Sequence, residues 1–286
     1  MLTISPSNLM EISIFSPDYP SVWKELPDAP EKVYAFGNIA LLQERKFAIV
    51  GSRRTPANAL KVGEEISKTL SQEFVILTGT ADGGDTSAIE GALKGSGQVI
   101  CLLAGGFSAL PQYNLNLLER VSKNGLILSP HPFETEVRAF SYEYRNKLLA
   151  KLCEAVLVLG AGEKSGALIT AKYAIEYKKP IFALPYPPNS SSGAGCNALI
   201  KKGGFLTESA LDIGEKLAVD LAEKKKEISL TADEEKLYQC LQEGEAHASE
   251  LAQKTGIPVF KIRAVLSSLE VKGAIVSLGG NRYAVV

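Results

Sequence analysis

The sequence predicts an α/β chain in which a parallel sheet carries helices on both faces, with a short extension before it and a small helical domain after it. Two observations lead there. From Lys46 onward, short apolar runs that end near Gly or Ser alternate with polar loops and helix-period segments, the βα pattern of a parallel sheet. Beyond Leu221 a charged stretch from Glu223 to Glu227 interrupts that rhythm, and three helix-period segments and a hairpin follow it.

Residues 1–44 are Pro-rich and partly aromatic, with Tyr19-Pro20, Trp23, Pro27, Pro30 and Tyr34, and are expected to cap the main domain without forming one of their own. The main domain, 45–222, should contain strands at Phe47–Val50, Val75–Thr78, Val99–Ala104, Leu126–Ser129, Ala155–Leu159 and Pro180–Leu184. These runs are mostly apolar instead of alternating, as where helices cover both faces of a sheet. A helix over Ile213–Leu221 closes this Rossmann-like domain, and 223–230 is the expected linker. In 231–286, Thr231 with Glu234 makes a capping box for a helix to Glu243. Ala248–Thr255 forms a second helix stopped by Gly256, and Pro258 opens a third that runs to about Lys272. Ile275–Leu278 and Tyr283–Val286 then pair across Gly279-Gly280-Asn281, which completes a winged helix.

Composition removes several chemistries. The net charge of -1 gives no global basic signature, so a nucleic-acid site must be a local cluster of Lys and Arg. Four scattered cysteines and two histidines, His131 and His247, offer neither zinc-ligand spacing nor a His-dependent catalytic set. The first residues lack a basic stretch leading into an apolar run, and no segment reaches the length of a membrane span, so a cytoplasmic protein is expected.

Ligands of open α/β sheets collect where strands end, and the loops there are the informative ones. Gly51-Ser52-Arg53-Arg54-Thr55 follows the first central strand and precedes a helix beginning near Asn58. Glycine permits close backbone approach, a helix N-terminus offers free N–H groups, and two arginines can clamp phosphate oxygens. The plain alternative is a turn whose arginines point into water. Thr78 to Asp85 is a second Gly-rich loop, without the GxGxxG spacing of a dinucleotide site, and is readable equally as a backbone contact for phosphate or sugar and as a plain tight turn. Gly160 to Gly166 is a third: Ser165 is a natural N-cap, and the helix start with Lys164 beside it reads as a second anion site or, equally, as a capped helix without ligand; the segment is no GxxxxGK[ST] loop. Arg145-Asn146-Lys147 sits in a helical pattern whose apolar members are Phe140, Tyr144, Leu148, Leu149 and Leu152, and on spacing alone its polar residues fit solvated helix charges best.

Taken in order, these segments resemble the DprA/Smf (DNA-processing protein A) family. The similarity runs through Asp18-Tyr19-Pro20, Gly37-Asn38, Gly51 to Arg54, Gly83 to Leu93, Leu110-Pro111 with Asn114, Arg145 to Lys147, Ser165 to Ala171 and Gly195 to Ile200, and ends in the winged helix. The resemblance implies a dimeric protein of natural transformation that binds and protects incoming single-stranded DNA and helps load RecA recombinase, without catalysis or cofactor. It places Arg53, Arg54, Arg145, Asn146 and Lys147 in the DNA-binding pocket, lined by Gly51, Ser52, Gly83, Lys164, Ser165, Gly166 and Thr170. The chain departs from the family pattern where Asp82 replaces a basic residue, Ile89 a histidine, Gly160 a glutamate and Tyr186 a glycine.

Two other readings compete. A Rossmann-like nucleotide-processing enzyme, such as a LOG-type phosphoribohydrolase, would need a PGGxGTxxE signature that is missing around Ala104 to Phe107, and a positioned carboxylate, for which Asp82, Asp85 and Glu163 are the candidates. A nucleotide-sensing winged-helix regulator would read duplex DNA through Lys261, Arg263 and Lys272, in surroundings that are acidic.

Overall fold

The computed structural model describes residues 4–110, 112–221 and 230–285. Pro111, most of the expected linker and Val286 at the end of the expected hairpin lie outside the described residues. The chain divides into two compact units, 1–222 and 223–286.

The first unit is a Rossmann-like sheet of nine strands in the order β1-β2-β6-β5-β4-β3-β7-β8-β9. Its parallel members are β3 (Lys46–Val50), β4 (Val75–Thr78), β5 (Val99–Leu102), β6 (Leu126–Ser129), β7 (Ala155–Val158), β8 (Ile181–Ala183) and β9 (Phe205–Leu206). Every residue within strands β3, β4, β5, β6, β7 and β8 is buried, which is why these segments read as mostly apolar runs. Alternate side chains serve opposite faces: Phe47 and Ile49 pack on one layer of core, Ala48 and Val50 on the other.

Helices α1 (Ala57–Leu70), α2 (Gly84–Lys94), α3 (Leu115–Asn124) and α7 (Ala210–Leu217) contribute to the Phe47 layer through Ile66, Leu70, Ile89, Leu118 and Ile213. Helices α4 (Ala139–Leu152), α5 (Ala167–Glu176) and α6 (Ala194–Lys201) cover the other face through Leu148, Leu149, Ala171 and Cys196. The last helix begins earlier than its sequence pattern suggests, where Asp212 Oδ2 accepts the Ser209 N–H at 2.8 Å, and ends earlier because Ala218 takes a left-handed conformation at φ 54° and stops it.

The extension does more than cap. β1 (Met10–Ser13) and β2 (Lys32–Gly37) form an antiparallel hairpin, and β2 pairs antiparallel with β6, so the sheet is mixed at that edge. Between them Trp23, fully buried, donates its indole N–H to Leu148 O at 2.8 Å and ties the extension to α4. Among the described residues no helix is long and apolar enough to cross a membrane.

The second unit is a winged helix: α8 (Ala232–Gln242), β10 (Ala246–His247), α9 (Ala248–Thr255), α10 (Val259–Val271), β11 (Ile275–Gly279) and β12 (Arg282–Val285), the strands pairing as β10-β12-β11. The capping box is present, with Thr231 N–H donating to Glu234 Oε2 at 2.6 Å and Glu234 N–H to Thr231 Oγ1 at 3.4 Å. Gly256, at φ 69°, ends α9 in the left-handed region. Leu237, Leu251, Ile262, Leu266 and Ile275 make its separate core.

Candidate nucleic-acid interface

The strand order reverses at β3, whose two neighbours β4 and β7 are reached by helices on opposite faces of the sheet. A crevice opens at such a point, outside the carboxyl ends of the strands. Here it is bounded by the Gly51 loop after β3 and the Gly160 loop after β7, joined by a hydrogen bond from Ser52 N–H to Gly160 O at 2.8 Å. Gly51 lies back to back with Gly84, the first residue of α2, where a Cβ on either would run into the other's backbone. Gly83, at φ 91°, makes the turn that brings α2 so close.

A cavity of about 340 Å³ occupies the crevice, lined by Gly51, Ser52, Arg53, Ala81, Asp85, Tyr142, Arg145, Asn146, Ser165, Gly166 and Thr170. A smaller one of about 70 Å³ adjoins it beneath the ends of β4 and β5, sharing Arg53, Ala81, Tyr142 and Arg145. The floor between them is a buried ion pair: Arg145 Nη1 stands 3.8 Å from Asp85 Oδ2 and donates to Leu102 O at 3.2 Å. Asp85 also accepts from Ala81 N–H at 3.2 Å and Gly51 N–H at 3.5 Å. Burial pushes the Asp85 carboxyl up from its ordinary range and the Arg145 guanidinium down, each opposed by the charge of the other. The guanidinium keeps its proton in any protein environment, so an ionised Asp85 is its natural counterion. A Cβ on Gly79 would strike both members of this pair, so Gly79 makes room for it.

Of the residues singled out in the sequence, the cavity gathers Gly51, Ser52, Arg53, Arg145, Asn146, Ser165, Gly166 and Thr170. Arg145 and Asn146, each 6% exposed, are not solvated helix charges; Asn146 Nδ2 donates to Gly166 O at 3.2 Å and fixes α4 against the turn into α5. The helical stripe is rotated accordingly, and Phe140, expected in the core, is 65% exposed. Arg54 and Lys164 are exposed and do not line the cavity. Gly83 faces an open groove with Asp82, Thr86 and Arg120 on the other side of its loop. Lys147 turns away from the crevice and pairs with Asp28 at 2.5 Å.

The turn before α5 is less open to an anion than its sequence suggests. Ser165 Oγ accepts from Ala167 N–H at 3.3 Å and Ser165 O from Leu168 N–H at 3.0 Å, so two N–H groups of the first turn are already satisfied. Tyr142, 40% exposed and common to both cavities, is a lining residue that the sequence pattern did not single out. Its signal was available: an aromatic side chain three residues before Arg145 on the same helix shares its face.

In the winged helix, Lys272 is committed to Glu234, at 2.7 Å from Oε2, and is not offered to a partner. Lys261 and Arg263 on α10 are exposed.

A family profile described as DNA recombination-mediator protein A matches residues 11–218, and a DprA winged helix domain profile matches 222–281. DNA processing protein DprA of Bacillus subtilis is 35% identical over 209 residues, 72% of this chain and 70% of its own length. The crystal structure of DNA processing protein A from Streptococcus pneumoniae superposes with a TM-score of 0.69 at 32% identity, over 73% of this chain and 74% of that one. A structure of DNA processing protein A from Helicobacter pylori, described for its single-stranded DNA binding mode, gives 0.66 at 29% identity over 73% of this chain and 95% of its own.

Proposed function

The chain belongs to the DNA recombination-mediator protein A family, and from that premise we propose that it binds single-stranded DNA in the crevice at the ends of β3 and β7. The single-stranded DNA binding of the Helicobacter pylori relative supports the ligand. The observation that carries the site is Arg53, an exposed guanidinium on a loop held by a buried strand, at the mouth of a cavity with the buried Arg145 behind it. Phosphate groups meet such a forked cation with charge-assisted hydrogen bonds, while an exposed aromatic beside it gives an unstacked base a surface to lie on. Arg53 supplies the phosphate contact and Tyr142 the stacking face; Arg54 and Lys164 add charge at the rim.

The role is binding and not catalysis. Asp85, the carboxylate inside the crevice, is engaged by Arg145 and two backbone N–H groups, which leaves it poorly placed to accept a proton from a substrate. In the cell the protein acts as a cytoplasmic homodimer that protects incoming strands during transformation and passes them to RecA recombinase. Residues 45–222 hold the strand, 223–230 link, and 231–286 form an accessory winged helix. The reading is tested by titrating a fluorescent oligothymidylate and its duplex with the purified protein. Preference for the single strand, lost in Arg53→Ala, is expected; equal binding of both would remove the assignment.

A further inference from the structure

Two of the four departures from the family pattern meet in space. Gly160 follows β7 and Tyr186 follows β8, and the Tyr186 hydroxyl donates to Leu159 O at 2.5 Å. A Cβ on Gly160 would lie 2.9 Å from that hydroxyl and 2.5 Å from Thr55 Oγ1, so only glycine leaves room for both. Tyr186 is itself well anchored. Its N–H donates to Asn197 Oδ1 at 3.0 Å, its carbonyl accepts from Asn197 Nδ2 at 2.9 Å, and its ring lies flush on Gly193, where any Cβ would collide with it.

From this phenol a short chain of contacts leads to the arginine. The Leu159–Gly160 turn that it holds accepts Ser52 N–H at 2.8 Å through Gly160 O. Thr55 closes the same loop from the other end, its hydroxyl donating to Ser52 O at 2.8 Å. Arg53 is suspended between these two attachments, with its own side chain exposed.

We propose that Tyr186 is a positioning residue for the DNA-binding loop: its hydroxyl fixes the Leu159–Gly160 turn, and through that turn the Ser52–Arg53 segment, in the geometry that presents Arg53 to a phosphate. This rests on the reading of the crevice as a single-stranded DNA site. A direct contact is not part of the role, since Tyr186 does not line the cavity.

The test is Tyr186→Phe, which keeps the ring on Gly193 and deletes one hydrogen bond, measured alone and in an Arg53→Ala background. Oligothymidylate affinity should fall about fivefold, the scale of one lost hydrogen bond, and in the Arg53→Ala background the same change should cost nothing further. Hydrogen exchange without DNA gives an independent readout: the Ser52 amide should lose protection in Tyr186→Phe. Unchanged affinity in a protein whose parent binds the oligonucleotide overturns the proposal. An equal loss in both backgrounds does so too, because it marks a fold-wide effect. If the parent binds no single strand yet Ser52 loses protection in Tyr186→Phe, the DNA reading fails and the positioning role stands; if protection is also unchanged, both fail.

Discussion

Arg53 and Arg54 are neighbours in sequence and differ in what they reach: the first lines both cavities, the second neither. Arg53→Ala should therefore weaken single-strand binding by at least about tenfold, as expected for one charge-assisted contact, and Arg54→Ala by less. Plots of log affinity against log salt should lose about 0.7 in slope for each phosphate contact removed. Lys147→Ala should leave affinity where it was, since its ammonium is held by Asp28; a loss as large as that of Arg53→Ala would put Lys147 on the strand path. Arg145→Ala is different in kind. It strands Asp85 in the interior without its counterion, which typically costs about 3–5 kcal/mol, so thermal unfolding should move down before any binding assay is read. These contrasts also mark what the sequence can reveal. Glycines and arginines directly after apolar runs point to the loops, because strand ends are where backbone and charge can meet a ligand. Nothing local announces that Lys147 has a partner 119 residues earlier, or that Arg145 lies buried against Asp85.

The elements that are legible in the sequence are those whose burial is complete. β4 and β6 fall at their expected limits and the other four expected strands within two residues of theirs, since each is mostly apolar and buried from end to end. β1, β2, β9 and β10 escape notice: β9 and β10 are two residues long, and β1 and β2 have only one or two fully buried positions among prolines and turns. In the winged helix the capping box is readable, but its acid does more than cap. Glu234 accepts from Thr231 N–H, from Ser268 Oγ at 2.7 Å and from Lys272 Nζ at 2.7 Å, joining α8 to the end of α10. The Lys272 contact first, then the Thr231 and Ser268 bonds, holds its carboxyl down from 4.5 to about 2. A carboxyl with a depressed folded value adds stability that is complete above its ordinary pKa and is lost as the pH falls toward the folded one. Amide protection in α8 and α10, taken relative to the intrinsic exchange rate at each pH, should thus fall between about pH 4.5 and 2, and Glu234→Gln, less stable at neutral pH, should show a flatter response over that window. Equal acid sensitivity in both proteins would place the titrating group elsewhere.

At the scale of the whole molecule, two units with separate cores predict separable roles. A chain ending at Leu221 should keep most of its single-strand affinity, because the cavity residues all lie before it; a loss beyond about tenfold, some 1.4 kcal/mol, would give the winged helix a share in holding the strand. The sheet itself is assembled out of chain order. β2 pairs with β6, whose residues come about ninety positions later, and Trp23 is enclosed only when α4, 125 residues further on, supplies Leu148 O. On a ribosome, β2 therefore waits for about ninety further residues and Trp23 for 125 before their partners exist, while β3, β4 and β5 can dock as they emerge. Contacts so distant along the chain close late, since the entropy of a long loop must be overcome first. Trp23 is the sole tryptophan of the chain, so its fluorescence times that closure in refolding: secondary structure should recover first, and the emission should shift to the blue afterwards, as the N-terminal segment settles on a sheet that formed without it.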